Sequence, residues 1–392
     1  MANIAILGHG VVGSGVAQIL LNNSEKFKKQ AGQELNLKYI LDLRDFSSLP
    51  YGNLFTADFN DILNDGSIDV VAELIGGIHP SFDFCMAALN KGISVVTSNK
   101  EMVAVKGDEL FKAAKDNNCN FLFEASVGGG IPIIRPLNTC LAANNIKEIT
   151  GILNGTTNYI LTKMDKEGAS FDVALKEAQD LGYAERNPAA DIEGIDSCRK
   201  ICILADIMMG QKVEPDAVSV SGITELTPEH TEAAKVYGGS VKLIGQAKRA
   251  DDKAFVCVRP FVVSKENPLS HIEDVFNGVL VEGDSIDKVT FIGRGAGKLP
   301  TASAVVADII DCVKADGMKY NVMWEKSENN ILADQDGLKR NWLVKILSGI
   351  IPNGIVEERF DNGICETIEM TETELYDKLR DIQISLALPI LK

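Results

Sequence analysis

No stretch of these 392 residues is apolar for long enough to cross a bilayer; the longest hydrophobic runs fall far short of the roughly 20 residues a membrane helix needs. A signal peptide is not expected, because the apolar start Ile4–Leu7 runs straight into a glycine turn. Basic charge is in deficit, with 39 Lys and Arg against 55 Asp and Glu and a net charge of -16. A phosphate backbone calls for a basic footprint, so the balance argues against nucleic acid as a partner. The eight cysteines include no C-x-x-C pair; the one close pair, Cys198 and Cys202, lies on a helical pattern. The four histidines, His9, His79, His230 and His271, are dispersed as well. Neither a zinc site nor a disulfide scaffold fits such spacing, and a cytoplasmic, reducing location is the natural expectation. Internal repeats and low-complexity linkers are also missing.

What remains is ordinary globular composition, 45% hydrophobic and 24% charged. The length suits two or three domains and a sizeable core. Through the first 125 residues short β-rich runs alternate with amphipathic stretches. "NIAIL" precedes Gly8, "LKYIL" ends at Asp42, "DVVAEL" precedes Gly76, "SVVT" precedes Ser98 and "NFLFEAS" precedes Val127. Such alternation predicts an α/β fold with a doubly wound parallel sheet of Rossmann type. Ligands on such sheets bind outside the carboxyl ends of the strands, so the residues there are the first candidates for a site.

Beyond residue 130 the pattern changes. Helices are expected over 156–166, 170–181 and 196–210, followed by β-like runs at 241–247, 254–263 and 287–293. Together they predict an α+β catalytic and dimerisation domain over 131–296. The glycine turn and apolar helix at 293–309 return to the first domain, which is assigned 1–130 with 297–318. The tail, 319–392, is expected as a small α+β module: strand 320–324, helix 340–349, strands 355–360 and 364–370, helix 371–382.

Gly8, Gly10 and Gly13 stand at G-x-G-x-x-G spacing. The first permits a tight turn, the second lets backbone approach a pyrophosphate, and the third allows close helix–strand packing. The phosphates would meet the helix opening at Val11 and Val12. A plain turn between strand and helix would satisfy the spacing too, but its place at the head of a βα series favours a dinucleotide. Asp42, ending the second strand, suits a ribose 2′-hydroxyl and hence NAD; Arg44 suits the 2′-phosphate of NADP, and both readings stand. Ser98, Asn99 and Lys100 end another strand. A lysine there faces the cofactor crevice, or else opens a surface helix against the dipole preference for acids at that end.

Three polar clusters follow. "FEASVGGGIPIIRPL" (123–137) leaves backbone carbonyls uncovered for a ligand or a hard cation, or forms a plain hinge. "LNGTTN" (153–158) gathers Asn154, Thr156 and Thr157, which suit a small polar substrate, unless Thr156 or Thr157 only caps the next helix. The densest, 181–200, holds Glu185, Asp191, Glu193, Asp196 and Lys200. Asp196 and Lys200 at i and i+4 share a helix face. An exposed pair of this kind contributes only about 0.3–0.5 kcal/mol. The apolar residues that follow bury the helix, and a buried pair is costly unless it has a task. A desolvated lysine shifts towards neutrality and serves in proton transfer.

Taken jointly, "GHGVVGSGVA", "TSNKEMVA", "FEASVGGGIPII", "GILNGTTNYILTKM", "EAQDLGYAERNPAADIEGIDSCRKICILA" and "GRGAGKLPTASAVVADI", spread over residues 3–316, resemble the homoserine dehydrogenase family. The resemblance implies the reversible, nicotinamide-dependent interconversion of L-homoserine and L-aspartate 4-semialdehyde in threonine, methionine and isoleucine biosynthesis. It implies Lys200 as proton donor and acceptor, Asp196 and Glu185 as substrate ligands, and Lys100 between nicotinamide and substrate. Gly182 and Gly297 would line the cofactor with backbone. Carbonyls of Glu124, Val127, Gly129 and Ile131 would hold a monovalent cation, sodium, as a structural ion. A homodimer or homotetramer is implied as well.

Two departures bear on that reading. Serines follow Arg44 and Asp45 where many relatives carry basic residues, which leaves NADP and NAD both open. The tail has a βαββα-like order but lacks the aspartate-x-proline-glycine turn of ACT regulatory modules, so a degenerate ACT-like module or a different oligomerisation element is expected, with weak or absent threonine feedback. Two other readings have less support. An aldehyde dehydrogenase acting through a thioester would need a reactive cysteine at a strand end, a setting Cys119 and Cys140 lack. A non-catalytic dinucleotide sensor would have no reason to keep Glu185, Asp196 and Lys200 together.

Overall fold

Five of the six strands of the first sheet are short apolar runs flanked by turns, and the helices between them lay apolar faces on the sheet. In the computed structural model, which describes residues 1–315, 317, 324–326, 330–349, 351–352 and 354–392, the chain divides into two compact units. One comprises 1–144, 206–214 and 293–328; the other comprises 145–205, 215–292 and 329–392.

Among the described residues, the first unit holds a six-stranded sheet of β1 (Ala2–Leu7), β2 (Leu35–Leu41), β3 (Phe55–Thr56), β4 (Ile68–Glu73), β5 (Ser94–Thr97) and β6 (Phe121–Leu122). Their spatial order is β3-β2-β1-β4-β5-β6, parallel throughout. That is the Rossmann arrangement, with its reversal of direction between β1 and β4. Burial on both faces explains why the central strands read as unbroken apolar runs. One core cluster joins Ile4, Ile6 and Val70 of the sheet to Val16 and Leu20 of the helix Val11–Asn22, and to Val305 and Ile309 of the helix Lys298–Lys314. The late helix thus packs in the core of the first unit.

The second unit is built on a mixed sheet. Its strands are β7 (Ile146–Ile152), β8 (Ser219–Val220), β9 (Gly239–Ala250), β10 (Lys253–Ser264), β11 (Phe276–Gly283), β12 (Asp287–Arg294), β13 (Trp342–Ser348), β14 (Val356–Arg359), β15 (Ile364–Thr367) and β16 (Gln383–Leu391). The order among the described residues is β12-β11-β7-β9-β10-β16-β13-β15-β14, with β8 beside β10. The helices Gly155–Glu167, Phe171–Asp180 and Ile195–Met209 fall where their periodicity predicts.

The tail departs from expectation. The expected helix 340–349 is replaced by the strand β13, Trp342–Ser348. Trp342, Val344 and Ile346 all face the cluster that includes Cys365 and Leu375, and this i, i+2, i+4 spacing is the period of a strand. β13 is paired on both sides, with β15 and β16, and that pairing overrides the local apolar pattern. The C-terminal strand β16, which carries no expectation from sequence, supplies one of those partners and ties the tail to β10 through Val262 and Val263. Helix Glu372–Lys378 lies inside the expected 371–382. Of the expected strand 320–324, residues 320–323 lie outside the described residues.

Beneath the helix Gly155–Glu167, Lys242 of β9 is buried and donates to the Ile272 carbonyl (2.6 Å) and to Asn158 Oδ1 (3.1 Å). Desolvation pulls its ammonium down to about 8 from the ordinary 10.5, against the nearby charges of Glu273 and Asp165. A folded-state value below the unfolded one means that the folded chain holds fewer protons between those two values. Stability therefore rises with pH across that window. Urea midpoints for the wild type should climb from about pH 8 to about pH 10 more steeply than those of Lys242→Met. Identical slopes would sink the assignment.

Candidate active site

The glycine turn follows β1 directly. Gly8 adopts φ +95°, where a side chain is strained, and a Cβ there would lie 2.9 Å from the Leu74 carbonyl oxygen. A Cβ on Gly13 would lie 1.9 Å from the Gly8 oxygen, so only glycine lets the helix start this close to the turn. Gly10 is the residue before the helix and brings no side chain to its first turn, while a Cβ there would meet nothing within 4 Å. The amides of Val11, Val12 and Gly13 thus open a helix with no acidic residue in its first turn, the arrangement that binds phosphate. Beside them is a cavity of about 450 Å³ lined by Gly8, Gly10, Asp42, Arg44 and Ile75.

Asp42 ends β2 and holds the turn. Its Oδ2 accepts from the His9 amide (2.7 Å) and Arg44 Nη2 (2.8 Å), and its Oδ1 accepts from the Arg44 amide (3.0 Å) and Nε (2.9 Å). The Arg44 side chain, then burial against it and the two amides, leave this carboxyl well below the usual carboxylate range. Sequence reasoning missed His9, a buried ring boxed by Phe46, Tyr51 and Phe55. Desolvation lowers its pKa. Three aromatic residues within ten positions of "DFSSLPYGNLF" were the available signal.

The ends of β4 and β5 are laced by Glu73, another residue without an expectation from sequence. Its buried carboxylate accepts from the Ile75 and Gly76 amides and from Thr97 Oγ1 (2.7 Å). Thr97 in turn accepts from the Asn99 amide, and Asn99 caps the helix Lys100–Asp116 by accepting from Met102. Lys100 therefore opens a helix at a strand end, half-buried, with Ser98 just before it. After β6, the carboxylate of Glu124 accepts from the amides of Ile133 (2.6 Å), Ile134 (2.9 Å) and Arg135 (2.7 Å). Its side chain is thus committed to the start of the next helix. Val127, Gly129 and Ile131 follow in the buried loop, with Gly129 at φ +56°. Gly297 precedes the helix Lys298–Lys314 with φ +116°.

In the second unit the polar residues converge. Lys200 Nζ donates to Asp196 Oδ2 (2.7 Å) and to the Leu153 carbonyl (2.8 Å). Asn154 Nδ2 donates to the same Asp196 oxygen (2.9 Å) and to Asp191 Oδ1 (2.7 Å). Lys200 and Asp196 are 7% and 5% exposed, so this is a buried ion pair. Desolvating such a pair costs several kcal/mol per ion, and the amide and carbonyl partners offset part of it. The cap of the helix Gly155–Glu167 is Asn154, not Thr156 or Thr157, because its Oδ1 accepts from the Thr157 amide. Thr156 instead donates to the Tyr183 carbonyl (2.7 Å). Glu185 is exposed on the loop after Gly182, and among the described residues its carboxylate takes no hydrogen bond from the Asp196–Lys200 cluster. The Leu153 carbonyl is the member that the sequence did not single out, since a strand-end carbonyl leaves no trace in residue type.

A family model for homoserine dehydrogenase matches residues 132–310, and one described as homoserine dehydrogenase, NAD binding domain, matches residues 8–124. The homoserine dehydrogenase of Bacillus subtilis is 41% identical over 316 residues, 79% of this chain and 72% of its own. The crystal structure of a homoserine dehydrogenase from Thiobacillus denitrificans superposes with a TM-score of 0.89 at 31% identity, covering 100% of this chain and 98% of that one. A hyperthermophilic archaeal homoserine dehydrogenase mutant in complex with NADPH, 32% identical, gives 0.69 over 79% of this chain and 97% of its own. The likeness runs through the dinucleotide turn and the buried lysine alike, and the chain belongs to the homoserine dehydrogenase family.

Proposed function

We propose that Lys200 moves the proton in this family's NAD(P)-dependent interconversion of L-homoserine and L-aspartate 4-semialdehyde, and that Asp196, Asn154, Thr156 and Glu185 hold the substrate. The observation carrying this reading is the buried Lys200–Asp196 pair, oriented by Asn154 and the Leu153 carbonyl. Oxidising the alcohol requires a base at its oxygen, and the reverse reaction requires an acid there; one amine serves both directions. The bound nicotinamide supplies the hydride chemistry. Asp196 stabilises the ammonium form, and Asn154 fixes which Asp196 oxygen faces the amine. Glu185 is proposed to meet the substrate's ammonium group. Lys100 is proposed as a second cation near the transferred hydride.

The glycine cradle fits a dinucleotide, since Gly8 and Gly13 let the helix start hard against the turn and Gly10 leaves the approach to its first amides free of any side chain. Gly8, Gly10, Val11, Val12 and Gly13 are proposed to hold the pyrophosphate, Ser98, Lys100, Gly182 and Gly297 to line the remainder, and Asp42 or Arg44 to meet the adenosine ribose. For a monovalent cation the donors would be the carbonyls of Glu124, Val127, Gly129 and Ile131. Carbonyl oxygens are hard ligands suited to sodium, and the Glu124 carboxylate is already taken by three amides. The ion's part would be structural. We assign the dinucleotide to 1–130 with 297–318, the substrate to 131–296 and an accessory role to 319–392, in a cytoplasmic homodimer or homotetramer with weak or absent threonine feedback.

The test is absorbance at the reduced-nicotinamide band with L-homoserine and NAD or NADP; no turnover with either overturns the reading. The same assay measures Arg44. Its pair with Asp42 is exposed on the arginine side and contributes about 1 kcal/mol or less, so a 2′-phosphate can draw the guanidinium away. Arg44→Ala frees Asp42 for ribose hydroxyls and should lower the NADP-to-NAD ratio of kcat/KM by about 10-fold or more. An unchanged ratio counts against Arg44 as the phosphate contact.

A further inference from the structure

On the face of the β7–β9–β10 sheet that carries Thr150, Gln246 and Cys257 side by side, a polar cavity of about 200 Å³ is walled by the sheet and the tail. Five cationic side chains line it against three carboxylates, in a chain whose net charge is -16. At its wall lies Arg340, 9% exposed. Arg340 Nη2 donates to Gln246 Oε1 (2.9 Å) and to Cys257 Sγ (3.6 Å), and its guanidinium lies over the Phe261 ring. Among the described residues no carboxylate pairs with it, and no protein acceptor meets its Nε or Nη1. Lys288, also lining the cavity, has no ion pair among them either.

A buried guanidinium without a counter-ion is costly, and such groups are retained where they have an anion to bind. The acids whose charges reach it, Glu148 and Glu372, are held by other partners, Glu372 by the Arg259 guanidinium. Glu148 accepts from Thr150 (3.0 Å) and from Gln246 Nε2 (2.7 Å) and pairs with Lys248 at 3.6 Å. Gln246 is therefore fixed between Glu148 and Arg340, and it sets the plane of the guanidinium. Glu282 and Glu369 line the cavity without a hydrogen bond to Arg340.

We propose that this cavity binds a small organic carboxylate, seated on the Arg340 fork and steadied by Lys288. The volume falls below the roughly 300–1,000 Å³ of sites for larger ligands, so a compact anion fits and a nucleotide does not. The location gives occupancy a route to catalysis. Gly245, the neighbour of Gln246 on β9, faces the other way, where a Cβ would lie 2.9 Å from Leu153 Cδ1 and 3.2 Å from Ile201 Cβ. Leu153 supplies the carbonyl that Lys200 grips, and Ile201 follows Lys200 on its helix.

The probe is sodium acetate at matched ionic strength, with sodium chloride and sodium phosphate as parallel arms. Acetate at about 50 mM should raise the melting temperature by about 2 °C or more, a shift the chloride arm does not reproduce. Arg340→Lys keeps the charge but loses the planar fork, and should lose most of the shift. Lys288→Gln, at an exposed position that does not threaten the fold, should reduce it, while Lys253→Gln outside the cavity should not. Acetate should also change homoserine turnover of the wild type and leave that of Arg340→Lys unaltered. This arm rests on the proposed role of Lys200; the melting shift does not. Equal shifts in the wild type and both cavity variants, no shift at all, or a phosphate shift exceeding that of acetate overturns the proposal.

Discussion

Replacing Lys200 by methionine should lower kcat by a factor on the order of 100–10,000 and leave dinucleotide affinity within about twofold of the wild type. Methionine fills much of the same volume, so the helix Ile195–Met209 keeps its packing while the titratable amine disappears. Asp196 then loses its ammonium partner while it stays buried beside Asn154, and removing one partner of a buried pair costs about 3–5 kcal/mol. The lost stability could imitate a catalytic defect. The double variant Lys200→Met with Asp196→Asn separates the two, because it also removes the carboxylate charge and should recover part of the lost melting temperature without recovering turnover. Dinucleotide titration by fluorescence supplies the second control, since the glycine cradle is built by the other compact unit. Near-normal turnover in Lys200→Met, at a temperature where the protein remains folded, would remove Lys200 from the proton-transfer role.

How much of this was legible beforehand depends on where the information lay. β1, β4 and the helix Val11–Asn22 follow from apolar runs and glycine spacing, because a parallel sheet buried on both faces imposes a near-continuous hydrophobic strand. The Lys200–Asp196 contact follows from i, i+4 spacing on an apolar helix. The Leu153 carbonyl and the link from Asn154 to Asp191 do not, since they join segments separated by tens of residues through backbone geometry. Residues 340–349 were misread as a helix because β13 takes its identity from β15 and β16, which flank it only in the folded chain. The alternation of Trp342, Val344 and Ile346 was the readable sign, and "ISLALPIL" near the C-terminus offered the matching strand.

The glycine turn should divide into two kinds of failure under a single added methyl group. In Gly13→Ala the new Cβ would fall 1.9 Å from the Gly8 oxygen and 3.0 Å from its carbonyl carbon, and neither backbone can retreat without moving β1 or the helix. Such overpacking costs about 1–3 kcal/mol and misplaces the amides that would face the phosphates. The expected result is a lower melting temperature together with dinucleotide affinity weakened by about 100-fold or more, the loss of several charge-assisted hydrogen bonds. Gly10→Ala is the contrasting case. Its φ of -79° suits alanine, and nothing lies within 4 Å of the added carbon, so the folded protein should melt as the wild type does. The methyl group would nevertheless occupy the approach to the helix terminus, and dinucleotide affinity should fall by about 10-fold or more, a loss of about 1.4 kcal/mol. Melting curves and NADPH titrations of the two variants read these outcomes separately. Normal affinity in both would mean that the cradle is a packing device and that the dinucleotide binds elsewhere; weakened affinity in Gly10→Ala without loss of stability ties the ligand to the turn, because strain cannot account for it.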